Sequence, residues 1–138
     1  MSLLEQMFFI IENLSPSNVD EYFLKKGFKT QEINNGYRLF AKEIAERKVE
    51  TFLLQELNGA FNYCKIGFND EIMFKNSQTE ALMKHDFTPV ENQEVKVLRN
   101  EKFIIMFVQS AEIIYNITLA KRNLEFEKRP TIEVIINQ

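Results

Sequence analysis

Cysteine, histidine and glycine are scarce in this sequence, and their scarcity limits the chemistry that it can perform. The 138 residues include one cysteine, one histidine, four glycines and no tryptophan. A metal site needs several histidine, cysteine or carboxylate ligands at set spacings, and a phosphate-binding loop needs glycines beside the anion. Neither pattern occurs. We therefore predict no catalytic residue, no metal site and no cofactor, and the balance favours a protein that is not an enzyme.

Disulfide partners and long apolar runs are also missing. A single cysteine cannot form an internal disulfide, so nothing points to an oxidising compartment. The apolar N-terminal stretch is interrupted by Glu5 and lacks the basic region and cleavage site of a signal peptide. No apolar run approaches the roughly 20 residues that span a bilayer. We expect a cytoplasmic protein that does not bind membranes.

Aromatic residues, in contrast, are plentiful. The chain has 13 phenylalanines and four tyrosines, and 45% of its residues are hydrophobic. With only three prolines and four glycines, a disordered or fibrous chain is disfavoured. A length of 138 residues is typical of one domain. The sequence therefore predicts a single domain, 1–138, with an aromatic-rich core.

Three helices are predicted from periodicity and capping residues. Apolar residues recur at helical spacing over 3–14. Ser15 and Pro16 are typical of a second helix start, and Gly27 is typical of its end, with Phe28 folding back onto Phe23. The spacing of Ser77 and Glu80 matches a capping box, which predicts a third helix that ends near residues 85–86.

Strands are predicted wherever β-branched and aromatic residues alternate between turn residues. Asn35-Gly36 is typical of a type I′ hairpin, and Asn58-Gly59 begins another turn. Imperfect alternation over 61–68 predicts a strand that is buried on both faces or strongly twisted. The predicted strands cover residues 29–33, 37–43, 49–55, 61–68, 94–98, 102–108, 113–120 and 131–136.

The chain repeats one of its own patterns. Residues 23–28 (FLKKGF) resemble residues 82–87 (LMKHDF), 59 positions later, and each hexamer ends a helix and enters about three strands. A duplicated helix-strand-strand-strand unit, with copies at about 15–68 and 77–120, would explain the resemblance. Two helix ends that need the same stop residues would also explain it, and this is the simpler interpretation. The fold class is α+β in either case: one or two antiparallel sheets with helices on one face.

Single residues give only weak indications of function. His85 lies near a helix end, where capping is the ordinary role of histidine, and Cys64 lies in a strand, where core packing is ordinary. A pocket between the helices and the concave sheet face would leave little trace in a sequence. The polar residues that we expect to line such a pocket are Tyr37, Arg38, Tyr63, His85 and Tyr115.

The first helix and two basic clusters are candidate partner surfaces. Phe8, Phe9 and Ile11 lie in a run of apolar residues that one helix face cannot hide, so a second layer or another chain must cover them. A homodimer is therefore favoured. A net charge of −3 disfavours nucleic acid, although two basic clusters could form a patch if they met. They are Lys25, Lys26 and Lys29, and Lys121, Arg122, Lys128 and Arg129.

Two functions remain open from the sequence. The first is a non-catalytic intracellular protein-interaction module, such as an adaptor, a chaperone-like protein or an inhibitor-like protein. It follows from the missing catalytic motifs, the apolar first helix and the sheet edges that an α+β domain offers to partners. The alternative is a small-molecule-binding or enzymatic domain that uses the pocket described above.

Overall fold

Three helices lie on one face of an eight-stranded antiparallel sheet in the computed structural model, which describes residues 1–32 and 36–122. The predicted α+β fold with helices on one face is thereby confirmed. The predicted strand 131–136 lies outside the described residues. The elements are α1 (Leu3–Asn13), α2 (Val19–Lys25), β1 (Lys29–Glu32), β2 (Tyr37–Ala45), β3 (Lys48–Leu57), β4 (Ala60–Phe68), α3 (Glu71–Lys84), β5 (Thr88–Pro89), β6 (Lys96–Arg99), β7 (Phe103–Ala111) and β8 (Ile114–Lys121).

The sheet consists of two four-stranded meanders joined in the middle. Its strand order is β1-β2-β3-β4-β8-β7-β6-β5, and every neighbouring pair is antiparallel. Each half therefore begins at one edge of the sheet and reaches the centre after four consecutive strands. Each helix-to-strand corner leads into four strands, not the three that the sequence suggested. This symmetry of topology does not by itself establish a duplicated sequence, so the internal repeat stays a prediction.

The core lies between the helices and one face of the sheet. Phe23 of α2 stacks on Phe40 of β2 with ring centroids 4.1 Å apart, and Phe74 of α3 packs against Phe107 of β7 at 5.9 Å. Helix α1 lies between these two contacts and packs mainly on the central strand β4. Its fully buried residues are Leu4, Met7 and Ile10. Each helix thus buries its apolar side against a different part of the sheet.

Helix α2 begins later than the sequence predicted, and helix α3 begins earlier. Ser15 and Pro16 lie in a turn before α2, and Asn18 is the N-cap residue by position; its side chain makes no capping hydrogen bond and accepts from the Ser15 amide instead. Asp70 caps α3 by accepting from the Met73 amide, so the predicted capping box at Ser77 is wrong. Ser77 is buried inside α3, where its hydroxyl donates to the Met73 carbonyl.

The two corners where a helix enters the sheet share one design. Gly27 has φ +85°, and the Phe28 amide donates to the Phe23 carbonyl, which is the predicted Schellman ending. Asp86 has φ +57° at the corresponding place, and the Phe87 amide donates to the Ala81 carbonyl. Both phenylalanines are buried. Each corner therefore has a positive-φ residue followed by a buried phenylalanine, but the closing hydrogen bond joins residues five apart at the first corner and six apart at the second.

A bulge in the central β3–β4 pairing explains the irregular sequence pattern of β4. A β-bulge interrupts its pairing with β3, where Gln55 lies opposite Tyr63 and Glu56 lies opposite Phe61. The extra residue shifts the alternation by one position, so Phe61 faces the core together with Cys64, Ile66 and Phe68 although the sequence does not alternate strictly. Asn58 and Gly59 both have positive φ, as the predicted turn requires. Asn35 of the other predicted turn lies outside the described residues.

Candidate functional site

An open cleft of about 560 Å³ lies beside α1. The turn after α3 and the loop between β6 and β7 form its other walls. Ligand pockets in proteins are typically about 300–1,000 Å³, so the cleft has room for a small molecule or one large side chain. Its lining residues are Met1, Glu5, Phe8, Phe9, Glu12, Asn13, His85, Asp86, Asn100, Glu101, Lys102 and Phe103.

Aromatic rings form the floor of the cleft. The Phe8 ring of α1 lies 4.9 Å from the His85 ring, 5.2 Å from the Phe103 ring and 6.3 Å from the Phe87 ring, measured between centroids. Phe87 and Phe103 are nearly fully buried, whereas Phe8 and His85 are half-buried. The floor is therefore continuous with the core while part of its aromatic surface faces the opening.

Asn100 holds the loop wall of the cleft against the end of α3. Its side-chain amide donates to the His85 carbonyl at 2.9 Å, and its Oδ1 accepts from the amides of Lys102 at 3.0 Å and Phe103 at 2.8 Å. The guanidinium of Arg122 donates to the Asn100 carbonyl at 2.6 Å. The Asn100 amide also donates to the Phe103 carbonyl at 3.0 Å, so five hydrogen bonds on one residue fix the wall in place.

His85 connects α3 to α1 through a shared carboxylate. Its Nε2 lies 3.0 Å from Oε2 of Glu80, and the Ser2 hydroxyl donates to the same oxygen at 2.8 Å. A nucleophilic serine needs the histidine itself as its base, and here the carboxylate stands between them. Ser2 also caps α1 by accepting from the Glu5 amide. This arrangement joins two helix ends and offers no activated nucleophile.

Carboxylates dominate the rim of the cleft. Glu5, Glu12, Asp86 and Glu101 are exposed there, with Lys102 as the one cationic side chain among the described lining residues. None of the four carboxylates forms an ion pair with another residue in the part of the chain that the structure describes. The rim is therefore a region of unneutralised negative charge beside an aromatic floor.

The helix-free face of the sheet is a second candidate surface. An antiparallel sheet that faces water ordinarily alternates apolar residues inward with polar residues outward. Here three rows of the outward face carry three charged residues, Lys29, Lys65 and Arg99, among mostly apolar or small neighbours. The rows, read across the sheet by register, are Gln31, Leu39, Leu53, Lys65, Thr118, Met106 and Val97; Lys29, Ala41, Thr51, Gly67, Asn116 and Val108; and Tyr37, Gln55, Tyr63, Ala120, Ile104 and Arg99.

This face is covered at one end and open elsewhere within the described residues. Val90, from the segment after β5, packs with Met106 over Val97 and Ile104, which are nearly fully buried. Leu39, Leu53 and Val108 remain half-buried. The six consecutive apolar residues 103–108 were a sequence signal that both faces of β7 are apolar, and our sequence analysis did not use it.

The structure separates the five residues predicted to line a pocket. Tyr37 and Tyr63 lie together on the helix-free face with ring centroids 6.3 Å apart, and burial raises the pKa of Tyr63. Arg38 lies on the opposite face, where it pairs with Asp20 at 3.2 Å. Tyr115 is buried in the core against Phe74, and His85 belongs to the cleft.

The predicted partner residues of the first helix are mostly satisfied within the chain. Ile11 is 2% exposed and belongs to the core. Phe9 stacks on Tyr22 at 5.6 Å, and Phe8 forms the cleft floor. Of the two coverings that the sequence left open, a second layer or another chain, α2, α3 and the β6–β7 loop supply the first for most of this surface.

Cys64 and the acidic residues do not form a further site in the described part of the chain. Cys64 is fully buried in β4, and burial raises the pKa of its thiol. No group of three or more potential metal ligands occurs in residues 1–32 and 36–122. Burial also raises the pKa of Glu50, and nearby Lys42 and Lys26 oppose that shift. In the same residues, no helix is both long and apolar enough to cross a membrane.

The two basic clusters do not meet among the described residues. Lys29 lies on edge strand β1 in register with Ala41, at the row that crosses β8 at Asn116. Lys121 lies at the far end of β8, and four strand spacings alone amount to about 19 Å. Lys25 is paired with Glu21. Lys128 and Arg129 lie outside the described residues.

Comparison with known proteins adds no family to this picture. No family model, no curated protein and no solved structure matches the chain. The function must therefore be argued from the two surfaces themselves.

Proposed function

We propose that this chain is a non-catalytic protein-interaction module that binds a partner on the helix-free face of its sheet. The observation that carries the proposal is the predominance of apolar and small side chains on that face, where polar residues are the rule. A partner that covers the face would remove apolar surface from water, which is the main source of free energy in protein association. The roles of adaptor, chaperone-like protein and inhibitor-like protein all fit this chemistry, in the cytoplasm as the sequence led us to expect.

The shape of the face indicates what kind of partner fits. Strand β8 contributes Asn116, Thr118 and Ala120, which are small, and Gly67 lies beside them on β4. Thr51 and Asn116 approach so closely that a Cβ at Gly67 would lie 2.8 Å and 3.2 Å from their side-chain oxygens. Because these residues are small and their neighbours Leu53 and Met106 are larger, we expect a shallow channel along β8. An apolar ridge of a partner, such as one side of an amphipathic helix, fits such a channel.

The charge on the face limits the choice further. Lys65 is half-buried in the middle of the outward face, and its nearest neighbours by register are Leu53 and Thr118. A partner with a carboxylate beside its apolar ridge would pair with this ammonium group. We therefore propose an amphipathic segment with at least one acidic residue as the occupant.

Matched substitutions test the proposal. Leu53→Glu places a charge on the helix-free face, and Thr118→Arg fills the channel without removing an apolar residue. Met83→Glu is the control, because Met83 is 79% exposed on α3 at the other side of the molecule. Proteins retained by the wild-type chain, and its mass by light scattering across a dilution series, are compared for all three variants.

The proposal expects an association that Leu53→Glu and Thr118→Arg both abolish and Met83→Glu preserves. If the association lost is a dimer, the partner is a second copy, in agreement with the predicted homodimer. A monomer that retains no partner, or an association that all three variants preserve, would contradict the proposal. Circular dichroism confirms that each variant is folded.

A second function, small-molecule binding, is supported by the cleft beside α1. Its volume of about 560 Å³ and its aromatic floor suit a small ligand. The cleft lies at the end of the helix layer and is open to solvent, so it is not the pocket between helices and sheet that the sequence suggested. The loss of ligand binding on substituting cleft residues, with partner binding intact, would separate the two functions.

A further inference from the structure

We infer that the cleft beside α1 binds an organic cation, an ammonium or guanidinium group carried on an apolar stem. The inference rests on the second function proposed above and names its ligand class. The floor and the rim of the cleft each contribute a separate reason.

The floor provides aromatic surface for a cation. Phe8 and Phe9 are half-buried, and the Phe8 ring is fixed by contacts with His85 and Phe103 at 4.9 Å and 5.2 Å. The face of an aromatic ring carries partial negative charge, which attracts a cation within about 6 Å of the ring centroid. The same rings give an alkyl stem an apolar surface to pack against. A ligand with both parts would use the whole floor.

The rim provides the opposite charge. Glu5 and Glu12 line the α1 side, while Asp86 and Glu101 line the loop side, so carboxylates lie on both walls of one opening. They have no ion-pair partner in the described part of the chain. Unneutralised charge of one sign around a concave site concentrates ligands of the other sign. The four carboxylates outnumber the cationic groups of the lining, Lys102 and the amino group of Met1, so the opening disfavours anions.

The cleft is also built firmly enough to be selective. Glu80 fixes the His85 ring through Nε2, and Asn100 fixes the loop wall through bonds to His85, Lys102 and Phe103. A site that is formed before its ligand arrives loses less entropy on binding. A rigid aromatic floor between acidic walls therefore favours one charge type over its neutral equivalent.

Three probes of equal length isolate the charge of the ligand. Hexylamine is a cation at neutral pH, hexanol is neutral and hexanoate is an anion, and all three have the same stem. We expect the ammonium probe to bind about tenfold more tightly than hexanol, with hexanoate weaker still, by titration followed through backbone amide NMR shifts. The shifts should concentrate at Asn100, Lys102 and Phe103. The preference should shrink as salt concentration rises.

Isosteric variants show whether the rim is responsible. Glu12→Gln and Glu101→Gln should each weaken hexylammonium binding about threefold, and the pair about tenfold, with hexanol unaffected. Both side chains are exposed, so folding should be unchanged. Glu46→Gln is the matched control, because Glu46 is exposed in the β2–β3 turn. A lysine tetrapeptide distinguishes the two sources of such a cation: tighter binding than hexylamine indicates a basic segment of a protein, and weaker binding indicates a free amine.

The outcomes separate this inference from the function on which it rests. Equal binding of hexylamine and hexanol, or unchanged binding by the double variant, would leave a ligand-binding cleft but overturn its charge preference. Absence of shifts with all three probes would overturn both. The helix-free face is tested by different residues, so neither result affects that proposal.

Discussion

The two halves of the molecule have the same order of helix and strands, but they differ at the corner where the helix enters the sheet. Each half has a helix, a positive-φ residue, a buried phenylalanine and a meander of four strands. At the first corner the carbonyl of C-cap residue Lys26 accepts from the ammonium of Lys42, an exposed contact. At the second, the carbonyl of C-cap residue His85 accepts from the half-buried amide of Asn100.

This difference explains why only one corner carries a candidate ligand site. Phe28 at the first corner packs on Phe23 and Phe52, and the stem of Lys42 lies over Gly27. At the second corner, Asn100 ties the β6–β7 loop to the helix end by its hydrogen bond to the His85 carbonyl, and the Phe8 ring of α1 packs against His85 and Phe103 beside an open cleft. The same helix-to-strand corner can therefore be covered by packed side chains or can border an open cleft, without a change in the order of the strands.

The comparison is tested most strongly in the core, where each half has a central phenylalanine. Phe23 is fully buried and contacts four other aromatic rings, whereas Phe74 is 8% exposed and contacts three. We expect Phe23→Ala to lower the free energy of unfolding by about 4 kcal/mol and Phe74→Ala by about 3 kcal/mol. Urea unfolding of both variants measures the difference. A larger loss for Phe74→Ala would mean that the second half holds the more tightly packed core.

The second test concerns the two side chains that hold the corners. Asn100→Ala leaves three backbone groups without their partner in a half-buried loop, and we expect a loss of about 2 kcal/mol in unfolding free energy. Lys42→Met removes one solvent-exposed hydrogen bond and keeps the apolar stem, so its expected cost is below about 1 kcal/mol. The measurement is again urea unfolding.

An additional readout shows whether Asn100 matters to the cleft. Asn100→Ala should also alter the NMR shifts of Phe8 and His85 ring protons, while Lys42→Met leaves them unchanged. Equal stability losses for the two variants would contradict the view that the second corner depends more on its side-chain bridge.

Local chemistry could be predicted from the sequence, and contacts between distant segments could not. The Gly27–Phe28 ending was predicted because its hydrogen bonds join residues within one turn. The prediction that Ser77 begins a helix was wrong because a buried serine inside a helix can have the same spacing to a glutamate as a capping box. The N-cap of this helix is Asp70. The cleft was missed because Phe8, His85 and Asn100 come from three segments whose proximity depends on strand order.

The smallest expected effects come from the positive-φ residues themselves, and they compare the two corners directly. A Cβ at Gly27 would lie 3.5 Å from the Lys42 side chain, which is ordinary contact, so the cost of Gly27→Ala arises from its φ of +85°. We expect a loss of about 1 kcal/mol. Asp86 already tolerates φ +57°, and Asp86→Gly exchanges that strain for greater chain entropy in the unfolded state, with a net change within about 0.5 kcal/mol. Thermal unfolding of both variants measures these changes. If Gly27→Ala were neutral, the first corner would not need its glycine, and the resemblance of the two hexamers would require an explanation other than shared stop chemistry.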